Sequence, residues 1–235
     1  MTTKPSLLSW LHDFSGLFYP RLCLACAERQ PPQNSLICQT CQAGLPRTDL
    51  HLHQDNAFTQ RFWGRVPVYS GGAMFHFVKG GKTQKLLHRL KYEGKPQIGV
   101  ELGKWYGREL KQSPWFADVQ AIVPVPLHPR KERLRGYNQS DTIARGLSEG
   151  MKAPWYKDGL RRREFTETQT KKSRMERFGN VEEVFEVGNP EMLKGKHILL
   201  VDDVMTTGAT LEACAHVLLT LPDVRISMAT LAMAT

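Results

Sequence analysis

Apolar residues recur with two different periods along this chain, and the change of period divides it. Leu7, Leu11, Phe14 and Phe18 stand at helical spacing and predict a short amphipathic helix over 7–18. A helix is expected over 84–92. Another is expected over 98–111, where Ile98, Leu102, Trp105, Tyr106 and Leu110 make one face. Residues 66–77 read as extended structure interrupted by Gly71-Gly72, and residues 46–65, polar and without periodicity, read as a linker. From residue 119 onward the pattern changes. The runs at 119–126 (VQAIVPVP), 197–201 (HILLV) and 225–234 are nearly continuous in apolar, β-branched residues, which predicts strands buried on both faces. Helices are expected between them at 138–147 and 210–219. Residues 161–180, basic and poor in large apolar side chains, read as an arm or long loop with one helical stretch. Alternating strands and helices of this kind predict an α/β fold, a parallel sheet flanked by helices.

Composition adds exclusions. The chain has 235 residues, 41% hydrophobic and 23% charged, which excludes a collagen-like or largely disordered chain. No apolar run reaches the roughly 18 residues of a membrane span. The first twenty residues carry His12 and Asp13 and lack a small-residue cleavage site, so they are not read as a signal peptide and a cytoplasmic location is expected. The net charge is +9, and +7 of it falls between Arg130 and Arg177, where fourteen cations face seven anions. Such concentration points to a polyanionic partner rather than to solubility alone.

Cys23, Cys26, Cys38 and Cys41 form two Cys-x2-Cys knuckles separated by eleven residues. A two-residue spacing lets both thiolates of a knuckle reach one ion, and two knuckles complete a tetrahedron, so a structural zinc site is expected. The competing reading, a pair of disulfides, suits a secreted chain. A segment this short cannot build a core, and metal binding would supply its folding energy. The division expected is therefore residues 1–50, helix plus zinc module, and residues 51–235, the α/β domain. Cys214 falls among Leu211, Ala215 and Leu218 and reads as a small buried hydrophobe.

The most specific stretch is 198–210, ILLVDDVMTTGAT. In open α/β sheets ligands bind beyond the carboxyl ends of the strands. A turn of Thr206, Thr207, Gly208, Ala209 and Thr210 opening a helix gathers backbone N–H groups and hydroxyls around one point, a cradle for phosphate. Asp202 and Asp203 at its mouth can accept hydrogen bonds from sugar hydroxyls or help hold Mg²⁺. The stretch is neither a Walker A loop, whose lysine is missing, nor a G-x-G-x-x-G turn.

This stretch resembles the phosphoribosyl pyrophosphate (PRPP) signature of type I phosphoribosyltransferases. The four-cysteine module, VPVPLHPRKERLRGYNQS, RRREFTETQTKKSRMERFGNVEEVF and the PRPP stretch together, in that order, resemble the ComF (GntX-like) competence-protein family over nearly the whole chain. The resemblance implies a type I phosphoribosyltransferase-like parallel sheet with a flanking hood, preceded by a zinc finger. It implies that Asp202 and Asp203 bind the ribose hydroxyls and associated Mg²⁺, and that residues 206–210 hold the 5′-phosphate. Leu127 and His128 would approach the pyrophosphate, with Arg135, Gly136, Tyr137, Asn138 and Gln139 beside it. Arg163, Gln169, Arg177 and Asn180 would belong to the arm that folds over the ligand.

Two function classes follow. One is a PRPP-binding protein of DNA uptake, handling single-stranded DNA and meeting proteins of the uptake machinery. The other is an active phosphoribosyltransferase of nucleotide or nucleobase metabolism with no DNA role. Some phosphoribosyltransferases carry an acid where Thr206 stands, and a threonine cannot serve as a general base. Single-strand binding needs a basic groove with aromatic platforms, and Tyr137, Trp155, Tyr156, Phe165 and Phe178 are interleaved with the basic stretch.

Overall fold

The computed structural model describes residues 21–162 and 184–234, and the chain divides into two compact units, 1–45 and 46–235. The helix expected over 7–18 and most of the basic arm lie outside the described residues. In the smaller unit the first knuckle is a turn closed by Ala27 N–H to the Cys23 carbonyl (2.8 Å), and the second opens a short helix, α1 (Gln39–Ala43). Among its described residues the buried apolar ones are Cys23, Ala25, Ile37, Cys38, Cys41 and Leu45.

In the larger unit the elements run β1 (Ser70–His76), α2 (Lys82–Tyr92), α3 (Gln97–Gln112), β2 (Ala121–Pro124), α4 (Pro129–Arg135), α5 (Gln139–Met151), β3 (Leu160–Arg162), β4 (Phe185–Val187), β5 (His197–Met205), α6 (Ala209–Leu218) and β6 (Arg225–Met233). Strands β1, β6, β5 and β2 lie side by side in that order, all parallel, while β3 and β4 form a separate antiparallel pair. Successive side chains of β5 point to opposite faces. Ile198 and Leu200 join Cys214 and Leu218 of α6 in one core, whereas Leu199 and Val201 are buried on the face where α5 packs. Helices α3 and α5 approach backbone to backbone: a Cβ on Gly107 would lie 2.8 Å from the Leu147 carbonyl oxygen. Among the described residues no helix is long and apolar enough to cross a membrane.

Three expectations are corrected. Residues 46–65 are no linker: Phe58 and Phe62 are 0% exposed and belong to the core. Two 3-10 turns, Leu50–Leu52 and Thr59–Phe62, shape the segment, and the buried Asn56 fastens it. Its Nδ2 donates to the carbonyls of Leu50, His53 and Gly71 at 2.8–2.9 Å, and its Oδ1 accepts from Phe58 N–H at 2.8 Å. Gly71 and Gly72 do not interrupt β1 but pair with Met228 and Ala229. They admit this segment, since a Cβ at Gly71 would meet the Phe58 ring at 2.5 Å. Finally, β5 continues past Val201 to Met205, because β6 is long enough to pair with it through Met233.

Candidate functional site

Extension of β5 places Asp202 and Asp203 inside the strand rather than beyond it. Asp203 is 4% exposed, and its Oδ2 lies 2.9 Å from Nζ of Lys91 in the last turn of α2. The half-buried Asp202 accepts through Oδ1 from the Ser140 hydroxyl and from the Asp203 N–H, both at 2.8 Å. Burial first, then the charge of Asp203, push the Asp202 carboxyl up to about 7, against the opposing pull of Ser140, the Asp203 N–H and Lys91. Two adjacent carboxyls thus share one ammonium and one hydroxyl. Acceptor capacity remains that a divalent cation or sugar hydroxyls fit chemically.

Gly208, at φ +82°, turns the chain into α6, a conformation that favours glycine. The N-cap residue, Gly208, offers no side chain, the Thr207 hydroxyl accepts from Ala209 N–H at 3.4 Å, and the first internally bonded donor is Glu212 N–H, to the Gly208 carbonyl at 2.9 Å. The N–H groups of Thr210 and Leu211 are therefore among the unpaired donors of a helix start, where the macrodipole favours an anion. Thr206, Thr207, Ala209 and Thr210 are exposed around them. The loop is held from one side: Arg61 donates to the Thr206 carbonyl (3.4 Å) and Arg65 to the Thr207 carbonyl (3.3 Å) and to Glu212. Since C=O and N–H point oppositely across a trans peptide, these bonds turn the N–H groups of Thr207 and Gly208 away from the arginines. Phe62 packs beneath, where a Cβ on Gly208 would come within 2.9 Å of its ring.

The block 135–140 acts largely as a brace. Gly136 closes α4 through its N–H to the Glu132 carbonyl (2.7 Å). Tyr137 donates its hydroxyl to the Leu90 carbonyl, and Arg135 donates to Gln139. Asn138 caps α5 by accepting from Ser140 N–H (3.0 Å) and ties it to β2 by donating to the Val125 carbonyl (2.9 Å). So the brace positions both Ser140 at Asp202 and, through Leu90, the end of α2 that carries Lys91. Leu127 and His128 occupy the turn from β2 into α4, where His128 Nδ1 accepts from Arg130 N–H (3.1 Å). Arg163, Gln169, Arg177 and Asn180 lie outside the described residues.

Lys91, Ser140, Arg61, Phe62 and Arg65 were not singled out by the sequence. The i,i+4 pairs Phe58/Phe62 and Arg61/Arg65 were a signal for an ordered segment there. Nothing in the spacing linked Lys91 or Ser140 to the acids.

In the smaller unit Sγ atoms of Cys23, Cys26, Cys38 and Cys41 all lie within 4.8 Å of one another, so the four could hold one metal ion. Four sulfurs at about 2.3 Å from a tetrahedral centre would stand roughly 3.8 Å apart, a separation that falls within this bound. Backbone N–H groups of Glu28 and Arg29 bring Cys26 down to about 6, whereas burial and then the neighbouring thiols push Cys41 up to about 12. Cys23 Sγ accepts from Ala25 and Cys38 N–H at 3.4 and 3.3 Å, an outer shell suited to a thiolate ligand.

At the opposite, amino end of the sheet His197 bridges Asp118 (Nδ1, 2.8 Å) and Ser227 (Nε2, 2.7 Å). The composition is that of a hydrolytic triad, but Ser227 is 0% exposed and its hydroxyl is shared with Ser70 at 2.7 Å, so the chain of bonds ties strands together.

Comparison with known proteins bears on these two units. Residues 143–233, which hold β5, both acids, the threonine loop and β6, match the phosphoribosyl transferase domain family. The chain is 30% identical to the DNA utilization protein YhgH of Escherichia coli (strain K12), with 93% of each chain covered. It is 37% identical over 201 residues to the competence protein ComFC of Bacillus subtilis (strain 168), covering 85% of this chain and 78% of that one. Competence protein F of Haemophilus influenzae is 30% identical over 137 residues, 57% of this chain and 60% of that one. Among solved structures, the allosteric regulatory enzyme of purine biosynthesis aligns at 19% identity and a TM-score of 0.41, over 60% of this chain and 29% of that one. The parallel sheet with its flanking helices is thus phosphoribosyltransferase-like, and a four-cysteine cluster precedes it.

Proposed function

The chain belongs to the family of the competence protein ComFC and the DNA utilization protein YhgH, and we propose that it binds PRPP with Mg²⁺ at the carboxyl end of β5 and handles single-stranded DNA in the cytoplasm during DNA uptake. One observation carries the first part: two adjacent acids with spare acceptors stand beside a helix start that keeps unpaired N–H donors and whose loop carbonyls are engaged from behind. A phosphorylated ribose needs that pairing of acceptors and donors. Asp202 and Asp203 would accept from the 2′- and 3′-hydroxyls and hold Mg²⁺. The hydroxyls and N–H groups of residues 206–210 would take the 5′-phosphate. The turn at Leu127 and His128 would face the pyrophosphate, with the block 135–139 beside it and Arg163, Gln169, Arg177 and Asn180 closing over it. Mg²⁺, when bound, would offset the charge of a departing pyrophosphate.

The DNA part is supported by the names of the relatives and by the +7 excess between Arg130 and Arg177. Contacts with proteins of the uptake machinery would belong to the same role, which the relatives' names support only as far as DNA uptake. The four cysteines would hold one structural zinc, with no open position for chemistry, in a compartment that keeps thiols reduced.

Calorimetric titration with PRPP, with and without Mg²⁺, tests the ligand. The expected result is Mg²⁺-dependent binding of one PRPP per chain. Release of pyrophosphate with and without single-stranded DNA tests whether transfer occurs and whether DNA takes part in it. Absence of PRPP binding would remove the site from the account.

A further inference from the structure

A single-strand binder needs an exposed aromatic ring beside cations, because every base offers a π-face and every nucleotide a phosphate. The aromatic residues interleaved with the basic stretch are engaged elsewhere. Tyr137 is bound to the Leu90 carbonyl, Trp155 donates to Asp141 (2.9 Å), and Tyr156 lies against Lys196, whose Nζ is 5.1 Å from its ring centroid. Phe165 and Phe178 fall outside the described residues. Tyr92, the last residue of α2, is 69% exposed, the most exposed aromatic among the described residues.

We infer that Tyr92, steadied by His88 and Arg135, is a stacking platform for a base of single-stranded DNA whose phosphates follow the cations of α4. The ligand class rests on the DNA reading above; the site is new to it. His88, one turn earlier, packs its ring 5.0 Å from that of Tyr92 at 48°, and the Arg135 guanidinium sits over the Tyr92 ring at 5.5 Å. Two neighbours therefore hold the ring in place while most of its surface stays in solvent. Fixing it in advance lowers the ordering cost of stacking a base. Arg135 also ends α4, so platform and helix share a residue. On α4, Arg130, Lys131 and Arg133 are exposed, with Glu132 the one acid of the helix, and Leu134 beside them is 91% exposed. Apolar and aromatic surface mixed with cations suits bases and phosphates together, which a duplex with stacked bases does not offer. Tyr92 also follows Lys91, the partner of Asp203, so a strand stacked there would come close to the carboxyl end of β5.

The test is fluorescence anisotropy of the full chain with a labelled oligothymidine of about 15 nucleotides at low salt. Tyr92→Ala should weaken binding roughly tenfold, and Tyr92→Phe should bind like wild type. The salt slope of Tyr92→Ala should match that of wild type, since stacking involves no phosphate. Joint replacement of Arg130, Lys131 and Arg133 by glutamine should flatten that slope instead. On an abasic strand of equal length Tyr92→Ala and wild type should bind alike. Equal affinity of wild type and Tyr92→Ala for oligothymidine would overturn the platform and leave the DNA reading standing. So would an equal loss on the abasic strand. No binding by wild type at low salt would overturn both. Unchanged circular dichroism of the exposed-site variant excludes misfolding as the cause.

Discussion

Asp203 is the residue on which most of the site's electrostatics turns. A carboxylate this buried is stabilised by its ion pair, and removal of one partner of a buried pair leaves the other uncompensated. Lys91→Met should therefore lower stability by about 2 kcal/mol, less than a fully buried pair would lose because Lys91 is a quarter exposed. Adding Asp203→Asn to Lys91→Met should recover much of the loss, a coupling that a double-mutant cycle in urea measures. Additive losses would mean that the two side chains do not stabilise each other. His197 provides the pH dependence. Burial first pulls it below its ordinary value, and Arg225 adds to this, against the hydrogen bond and charge of Asp118. A histidine held neutral in the fold and free to charge when unfolded stabilises fully above about pH 6.5 and less as pH falls below that value. Asp202, pushed up to about 7, acts with the opposite sign over much of that range. The contribution of His197 is thus read as a difference: urea midpoints of wild type and His197→Asn should converge from pH 7.5 to pH 5.5. Parallel midpoints would contradict it.

Among the elements, the loop from β5 to α6 depends on a segment distant in sequence. Phe62→Ala would remove the ring beneath Gly208 and open a cavity in the core, at a cost of about 3–4 kcal/mol. The same change should weaken ligand binding at the loop, since Arg61 and Arg65 flank Phe62 and hold the loop carbonyls. Retained stability with full binding would show that the segment does not support the loop. This dependence also marks the limit of what the sequence reveals. Strands β2, β5 and β6 were legible because burial on both faces leaves continuous apolar runs, and α3 because its apolar face repeats at helical spacing. Residues 46–65 were not, because side-chain bonds from Asn56 and single 3-10 turns order most of them, and the two i,i+4 pairs at 58–65 are too short a run to make a period. The extension of β5 escaped for a related reason: ladder pairing with β6, not the apolar pattern, carries it through two acids. At the site, the acids and the threonine turn were legible as local chemistry. Lys91 and Ser140 reach them only through the packing of α2 and α5.

At the scale of the molecule, the two units draw stability from different sources. The larger has a continuous apolar core made entirely of its own residues. The described residues of the smaller bury little besides three of its cysteines, Ala25, Ile37 and Leu45, so bound metal would supply its folding energy. Purified protein should carry about one zinc per chain, and chelation should unfold the cysteine module while the sheet's melting transition persists. A metal-free chain whose cysteine module stays folded would contradict that. A phosphoribosyl site at the carboxyl end of β5 is tested by calorimetric titration with PRPP and Mg²⁺. The comparison is between wild type and the folded double variant Asp203→Asn, Thr207→Val. Asp203→Asn removes the charge and turns one carboxylate acceptor into a donor at one half of the site, Thr207→Val removes a hydroxyl at the other, and one charge-assisted bond is worth about 1.5–3 kcal/mol. At least a roughly tenfold loss of affinity is expected in the double variant; equal affinity in the two proteins would place the ligand elsewhere.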